Sequence, residues 1–568
     1  MGEAYTGAGR SILDLHQEEA AVSRRHLAAI AVVIVATATL VRTQSAPSMS
    51  PALPPALDQQ LRAIFERNDY GAASMGPFAW LDGGRRYTAI ARGRTPDILA
   101  FDTATGTSEV LVAATALVPP GQREPLAVSD YAWSSDRTKL LVFTNTRRVW
   151  RQHTRGDYWV LDRPSGRLTK LGADAAEASL MFAKFSPDGS SVAYVRAQNL
   201  YVEDVATGRV RALTTDGGGD IINGTADWVN EEEFSIRDGF RWSPDGRRIA
   251  YWQFDTTGVE RFTLINNTAA LYPTTTVFPY PKPGTTNSAA RAGIVDVASG
   301  RTVWVDTEGD PRAHYLPWMA WADASSLALQ HMNRLQNRND LLLADAATGR
   351  VHRVFRDTAD TWLDTAEPVT PISGGTEFTW VSERSGFRQV LAIAREDGRV
   401  RTLTDWAADI LDVAAVDTAG DRLYVIASPG NATERYLFAT RLSAPGARPE
   451  RVTPADQPGT HSYVVSPDAR WAVHTWSQFD MPPRIDIVSL PDHRVVRTVV
   501  DNAALAAKAA PLLAPPVEFF TLDIGGGVTL DGWLLKPRHF DASKRYPLIV
   551  NVYGEPAGTT VVNSWGGG

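Results

Sequence analysis

One turn recurs along most of this 568-residue chain, and it constrains the fold more than any other feature. It reads Asp102-Thr-Ala-Thr-Gly106, Asp162-Arg-Pro-Ser-Gly166, Asp204-Val-Ala-Thr-Gly208, Asp296-Val-Ala-Ser-Gly300 and Asp345-Ala-Ala-Thr-Gly349. Looser copies follow at Glu396-Asp397-Gly398, Ser443 to Gly446 and Pro491-Asp492. Asp opens such a turn by accepting hydrogen bonds from the backbone just ahead of it, and Gly supplies the positive φ that closes it. Alternating apolar runs flank each copy, as in Leu200-Tyr-Val-Glu-Asp204. A second signal is interleaved: Trp133-Ser-Ser-Asp136, Phe185-Ser-Pro-Asp-Gly189, Trp242-Ser-Pro-Asp-Gly246 and Val465-Ser-Pro-Asp468, each ahead of a strand pattern. Two hairpins per period make a four-stranded unit, and radial repetition of such units is a propeller. Eight turns between roughly residues 60 and 500 set a period of about 55 residues, slightly long for a blade. The step from Asp204 to Asp296 is longer still and marks an insertion. Stacked β-sandwiches would not repeat the same turns in register. The expected class is therefore mainly β, an eight-bladed β-propeller.

Composition narrows the chemistry. Hydrophobic content of 44% with 21% charged residues describes a folded body, not a disordered one. Lys plus Arg number 57 against 64 Asp plus Glu, a net charge of −7, so no broad basic surface for nucleic acid is expected. Cysteine is absent, which excludes disulfides, thiolate metal sites and a cysteine nucleophile. Near the start, Leu27 to Val41 carries no charge and follows Arg24-Arg25. The run is short for a spanning helix and fits a secretory signal better. The long leader with Asp14, Glu18 and Glu19 leaves a membrane anchor as the alternative, and Ser23-Arg24-Arg25 is a weak twin-arginine match. Either way the body is expected outside the cytoplasm, exported or anchored facing outward, with membrane contact only through this segment. Residues 1–55 are then leader and linker, and 56–505 the propeller.

After Asp501 the texture changes. Ala503 to Leu513 has helical propensity, and Val517 to Leu522, Val528 to Leu535 and Leu548 to Tyr553 read as strands. Tyr546 to Tyr553 is a continuous apolar run, the pattern of a strand buried on both faces. Residues 506–568 are expected to be the start of an α/β domain, cut off at Gly568.

The insertion holds Asp227-Trp-Val-Asn-Glu231-Glu232-Glu233-Phe234. A solvated acidic loop is the plain explanation of three adjacent carboxylates. Trp228, Val229 and Phe234 bracket them, however, and favour a short packed helical segment. Two carboxylates held side by side suit an α-ammonium, whose three donors can satisfy both. Charge-assisted bonds of this kind contribute about 1.5–3 kcal/mol each.

This segment resembles the glutamate motif of the dipeptidyl peptidase IV family of serine exopeptidases. So do Val149-Trp150-Arg151-Gln152-His153-Thr154 with Tyr158, Tyr280-Pro281-Lys282-Pro283-Gly284 with Asn287, Asn333-Arg334-Leu335-Gln336-Asn337, and Val552-Tyr553-Gly554-Glu555-Pro556. The resemblance runs from about residue 60 to the C-terminus. It implies a propeller joined to an α/β-hydrolase that releases N-terminal dipeptides, with Pro or Ala second, from peptides with free N-termini. It implies that Glu232 and Glu233 bind the substrate α-ammonium, that Arg151 holds the carbonyl of the second residue, and that Tyr553 donates to the oxyanion. Glu555 stands where the family usually has Gly. Family members are often dimers, so a homodimer is expected of a full-length chain. The family's Ser, Asp and His would lie beyond Gly568, and no Gly-x-Ser-x-Gly elbow occurs in the sequence. The chain as given is therefore expected not to hydrolyse peptides. A tripeptidyl peptidase, or a non-catalytic propeller that binds peptide N-termini, are the alternatives.

No cofactor or metal is expected. His153, His331, His461 and His474 show no ligand spacing, and Asp216-Gly-Gly-Gly-Asp220 lacks a phosphate-loop Lys. Ser382-Glu-Arg-Ser-Gly386 reads first as a strand and turn, and second as a pocket wall.

Overall fold

The computed structural model describes residues 53–91, 96–444, 446, 448–513, 516–554 and 558–566. The leader with its apolar run falls outside them, as does Glu555. The chain divides into two bodies, Met1–Gly71 and Ala72–Gly568. In the first, helix α1 spans Pro55–Phe65. Pro55, expected as the end of a linker, instead opens this helix. Its missing N–H costs nothing at the first position, and its fixed φ suits a helix. Arg62 pairs with Asp58 and Glu66 one turn away on either side.

The second body is built of antiparallel sheets, and the fold is mainly β, with 44% of the described residues in strands against 7% in helices. Among the described residues eight four-stranded units follow one another, over 78–112, 130–170, 180–212, 221–304, 314–358, 371–402, 410–451 and 460–500. The second and third merge into one eight-stranded sheet where Arg155 and Gly156 pair with Met181 and Leu180. In the fourth and fifth, the first strand, at one edge of the sheet, is split in two.

The recurring turns are built as their chemistry dictates. Asp102 accepts from both the N–H and the hydroxyl of Thr105 at 2.8 Å, and Gly106 has φ +74°. Asp204 and Asp296 do the same with Thr207 and Ser299. In the interleaved signal Ser134, Ser186, Ser243 and Ser466 each donate to the Asp two residues on at 2.6 Å. These bonds hold the Asp136 carboxyl down to about 2.

Packing is cyclic. Each hydrophobic core lies between two consecutive units: Leu117 and Leu140 between the first and second, Tyr158 and Tyr194 between the next two, and so on to Tyr424 and Val488 between the seventh and eighth. The eighth core returns to the start, with Tyr87 and Ala89 of the first unit against Ile485 and Ile487 of the last. Asp468 N–H donates to Gly83 O at 2.9 Å across this junction.

Past the last unit come helix α3 (Ala503–Ala509) and a hairpin of Glu518–Gly525 with Val528–Leu534. The expected buried strand over Leu548 to Tyr553 does not form. Leu548, Ile549, Val550, Val552 and Tyr553 are exposed without strand structure. An apolar run becomes a buried strand only with strands to pair with on its edges, and none among the described residues lies beside it. Asn563 does dock, donating to Thr433 O at 2.6 Å and accepting from Phe479 N–H at 3.0 Å. No helix among the described residues is long and apolar enough to cross a membrane.

Candidate functional site

The insertion in the fourth unit folds as helix α2, Trp228–Phe234. Two turns of helix are too few to persist unaided, so the ends matter. Asp227 caps the first turn, accepting from the Asn230 N–H at 3.0 Å and its Nδ2 at 2.8 Å. Its second oxygen accepts from the Ser288 hydroxyl. Ser235 ends the helix in the left-handed region. Phe234 packs on Tyr315 with ring centroids 4.9 Å apart, and Trp228 on Tyr280 at 4.4 Å. Asn287 donates to the Tyr315 hydroxyl at 2.9 Å, Arg334 donates to Thr285 O, and Asn333 ties to Asn337 at 2.8 Å. The 280–287 stretch thus packs on this helix through Tyr280, and the 333–337 stretch is tied to that stretch at Thr285.

The three glutamates of α2 meet three environments. Glu231 is buried, and burial raises its carboxyl above the usual range while Arg237 opposes the shift. Arg237 Nε stands 3.3 Å from Glu231 Oε1, but the N–H is not aligned for a hydrogen bond, so this is a charge contact. Glu232 is half-buried and accepts from Arg151 Nη2 at 2.5 Å. Glu233 is exposed. Arg151 comes from the two-residue turn Trp150-Arg151, which joins strands Lys139–Val149 and Gln152–Asp162. Trp150 holds φ +50°, a region that bulky residues avoid, and its ring lies against Phe278 at 4.7 Å. Phe278 belongs to a second hairpin of the insertion, Arg261–Asn266 with Thr274–Pro279, and also meets Trp228.

The structure therefore brings Arg151 and Glu232 into contact, with Glu233 next along the helix. Tyr553 is exposed on the irregular C-terminal stretch, and no hydrogen bond or ring contact joins it to them among the described residues. Ser382 ends a strand, and the turn after it sends Arg384 to the buried Asp357 at 2.8 Å. Sequence reasoning named His461 and His474 only as lacking ligand spacing and did not foresee that the histidines cluster. His461 Nδ1 and His474 Nε2 lie 2.8 Å apart, and His493 Nε2 lies 2.8 Å from the Tyr463 hydroxyl. Strand pairing, invisible in spacing, assembles them. Among the described residues no group of three His, Asp or Glu could hold a metal ion.

Known proteins resemble this chain in sequence and in fold. Residues 134–483 match the family model of the dipeptidyl peptidase IV (DPP IV) N-terminal region. Dipeptidyl peptidase 4 of Trichophyton rubrum and of Arthroderma otae are each 26% identical over 505 residues, covering 86% of this chain and 63% of theirs. The chain thus spans less than two thirds of the length of these curated relatives. The crystal structure of Porphyromonas gingivalis dipeptidyl peptidase 4 aligns with a TM-score of 0.78 at 24% identity, over 88% of this chain and 70% of that one.

Proposed function

Because this chain belongs to the dipeptidyl peptidase IV family, we propose that its eight sheet units are the blades of an eight-bladed propeller and that α2 within it recognises the free N-terminus of a peptide substrate. The observation that carries this reading is the 2.5 Å contact of Arg151 with Glu232, next to the exposed Glu233. An α-ammonium placed between the two carboxylates makes charge-assisted bonds to both, and Arg151 is left a free N–H for a peptide carbonyl nearby. Anchoring the ammonium fixes which bond lies within reach of a nucleophile, the logic of an exopeptidase that releases dipeptides. The sequence holds no Gly-x-Ser-x-Gly elbow, so we assign to these residues recognition and not bond cleavage. Tyr553 keeps the oxyanion role only through the likeness of its motif.

The test is calorimetric titration of the chain with a Gly-Pro-initiated peptide, free and N-acetylated. The free peptide is expected to bind at least tenfold more tightly, because a blocked terminus has no ammonium to offer the carboxylates that the bound peptide covers. Glu232→Gln combined with Glu233→Gln should abolish the difference. Equal affinity for both peptides in the unsubstituted chain would refute the reading.

A further inference from the structure

A cavity of about 680 Å³ lies beside α2 and is separate from the glutamate pair. Trp228 and Glu231, three residues apart and so on one face of the helix, line it, whereas Glu232 and Glu233 do not. Its volume is that of a small-molecule site. The apolar wall combines the aromatic Trp150, Trp228 and Phe278 with aliphatic residues such as Val149, Met181 and Ile222.

Its charges decide what it takes. Four ionisable side chains line it, and three are already engaged. Asp227 is saturated by Asn230 and Ser288, Glu231 stands against Arg237, and Arg196 is paired with Asp174 at 2.9 Å. The Arg155 side chain alone makes no hydrogen bond or ion pair among the described residues, and it is exposed. It also faces Arg147 directly across the strand ladder. Like charges in that relation destabilise a sheet, here only weakly because both side chains are exposed. Beside them, Trp150 is held at positive φ with its ring turned into the cavity wall. Strain of this kind is characteristic of ligand-binding surfaces.

We propose that this cavity binds a small amphipathic carboxylate, its aromatic body against Trp150, Trp228 and Phe278 and its anionic group on Arg155. The site does not depend on peptide recognition by Glu232 and Glu233, and each can fail without the other. Calorimetric titration of the chain, without peptide, uses 1-naphthylacetate and its neutral analogue 1-naphthylacetamide. The carboxylate is expected to bind saturably and at least tenfold more tightly than the amide. Arg155→Ala should weaken the carboxylate about tenfold and leave the amide unchanged. Arg155→Gln, which keeps the side chain's bulk, should do the same, and thermal melting of each variant reports that it is folded. No saturable binding of the carboxylate, equal binding of the two probes, or unaltered binding by the folded Arg155 variants would overturn the proposal.

Discussion

Two arginines beside the glutamates of α2 show how burial, not proximity, sets what an ion pair is worth. The Arg151 side chain is 72% exposed, so water and salt screen its contact with Glu232 and little stability is at stake. Arg151→Ala should shift unfolding free energy by no more than about 0.5 kcal/mol. Arg237 faces a glutamate whose side chain is only 9% exposed. Arg237→Ala leaves that carboxylate buried and alone, and should cost about 2–4 kcal/mol at neutral pH. The sign of its pH dependence follows. Glu231 already has a raised carboxyl, and losing Arg237 raises it further. A group raised in the folded state favours folding at low pH, and that contribution is lost as pH rises through its folded value. The deficit should therefore shrink as pH falls from 7 towards 5. Urea unfolding of both variants across that range checks it, and a pH-independent deficit for Arg237→Ala would refute the account.

At the scale of elements, α2 depends on its cap. Asp227 satisfies orphan donors of the first turn and accepts from Ser288, on a separate stretch of chain. Asp227→Ala should cost about 2 kcal/mol and speed hydrogen exchange over 228–236 while the neighbouring strands keep their protection. Unchanged exchange there would mean that aromatic packing alone holds the helix. The same contrast of local and distant causes explains what the sequence disclosed. The Asp-to-Gly turns, the Ser-x-Asp turns and the bracketed acidic helix are written in residues two to five apart, and they are legible as turns, strands and a short helix. The insertion was visible as a long step between Asp204 and Asp296, but its Phe278 hairpin and the cavity it walls come from packing between distant segments. Tyr546 to Tyr553 fails in the opposite direction. Its composition suits a buried strand, yet strand formation depends on neighbours that composition does not report. The contact of Arg151 with Glu232, 81 positions apart, was accessible only through family resemblance.

For the whole molecule, the junction between the seventh and last units is where acid should act first. The last unit packs on both the seventh and the first, so loosening it opens the ring of cores. Buried beside Tyr463 and Tyr436, on the side of the last unit that faces the seventh, are His461, His474 and His493, all held neutral. Burial pushes His461 down to about 3 and His474 to about 2, and lowers His493. Asp486, across the ladder from His474, and Asp492 favour the charged form, whereas Arg451 and Arg484 oppose it. Groups depressed in the folded state stabilise it above their ordinary value of 6.5 and lose that stability as pH falls. Protonating each in the unfolded chain draws up to about 1.4 kcal/mol per pH unit below 6.5. The turn aspartates, already low, contribute only below about pH 4. Glu203 and Glu231, both buried, and Glu367 are raised by desolvation and act with the opposite sign. A single substitution separates these effects. His474→Phe keeps the ring stacked 4.6 Å from Tyr463 and removes one titrating site. It should lower stability at pH 7, because His461 Nδ1 loses its partner. The slope of unfolding free energy against pH between 6 and 5 should become less positive by about one proton. If the slope is unchanged, the histidines of the closing unit do not govern acid unfolding, and another junction of the ring must yield first.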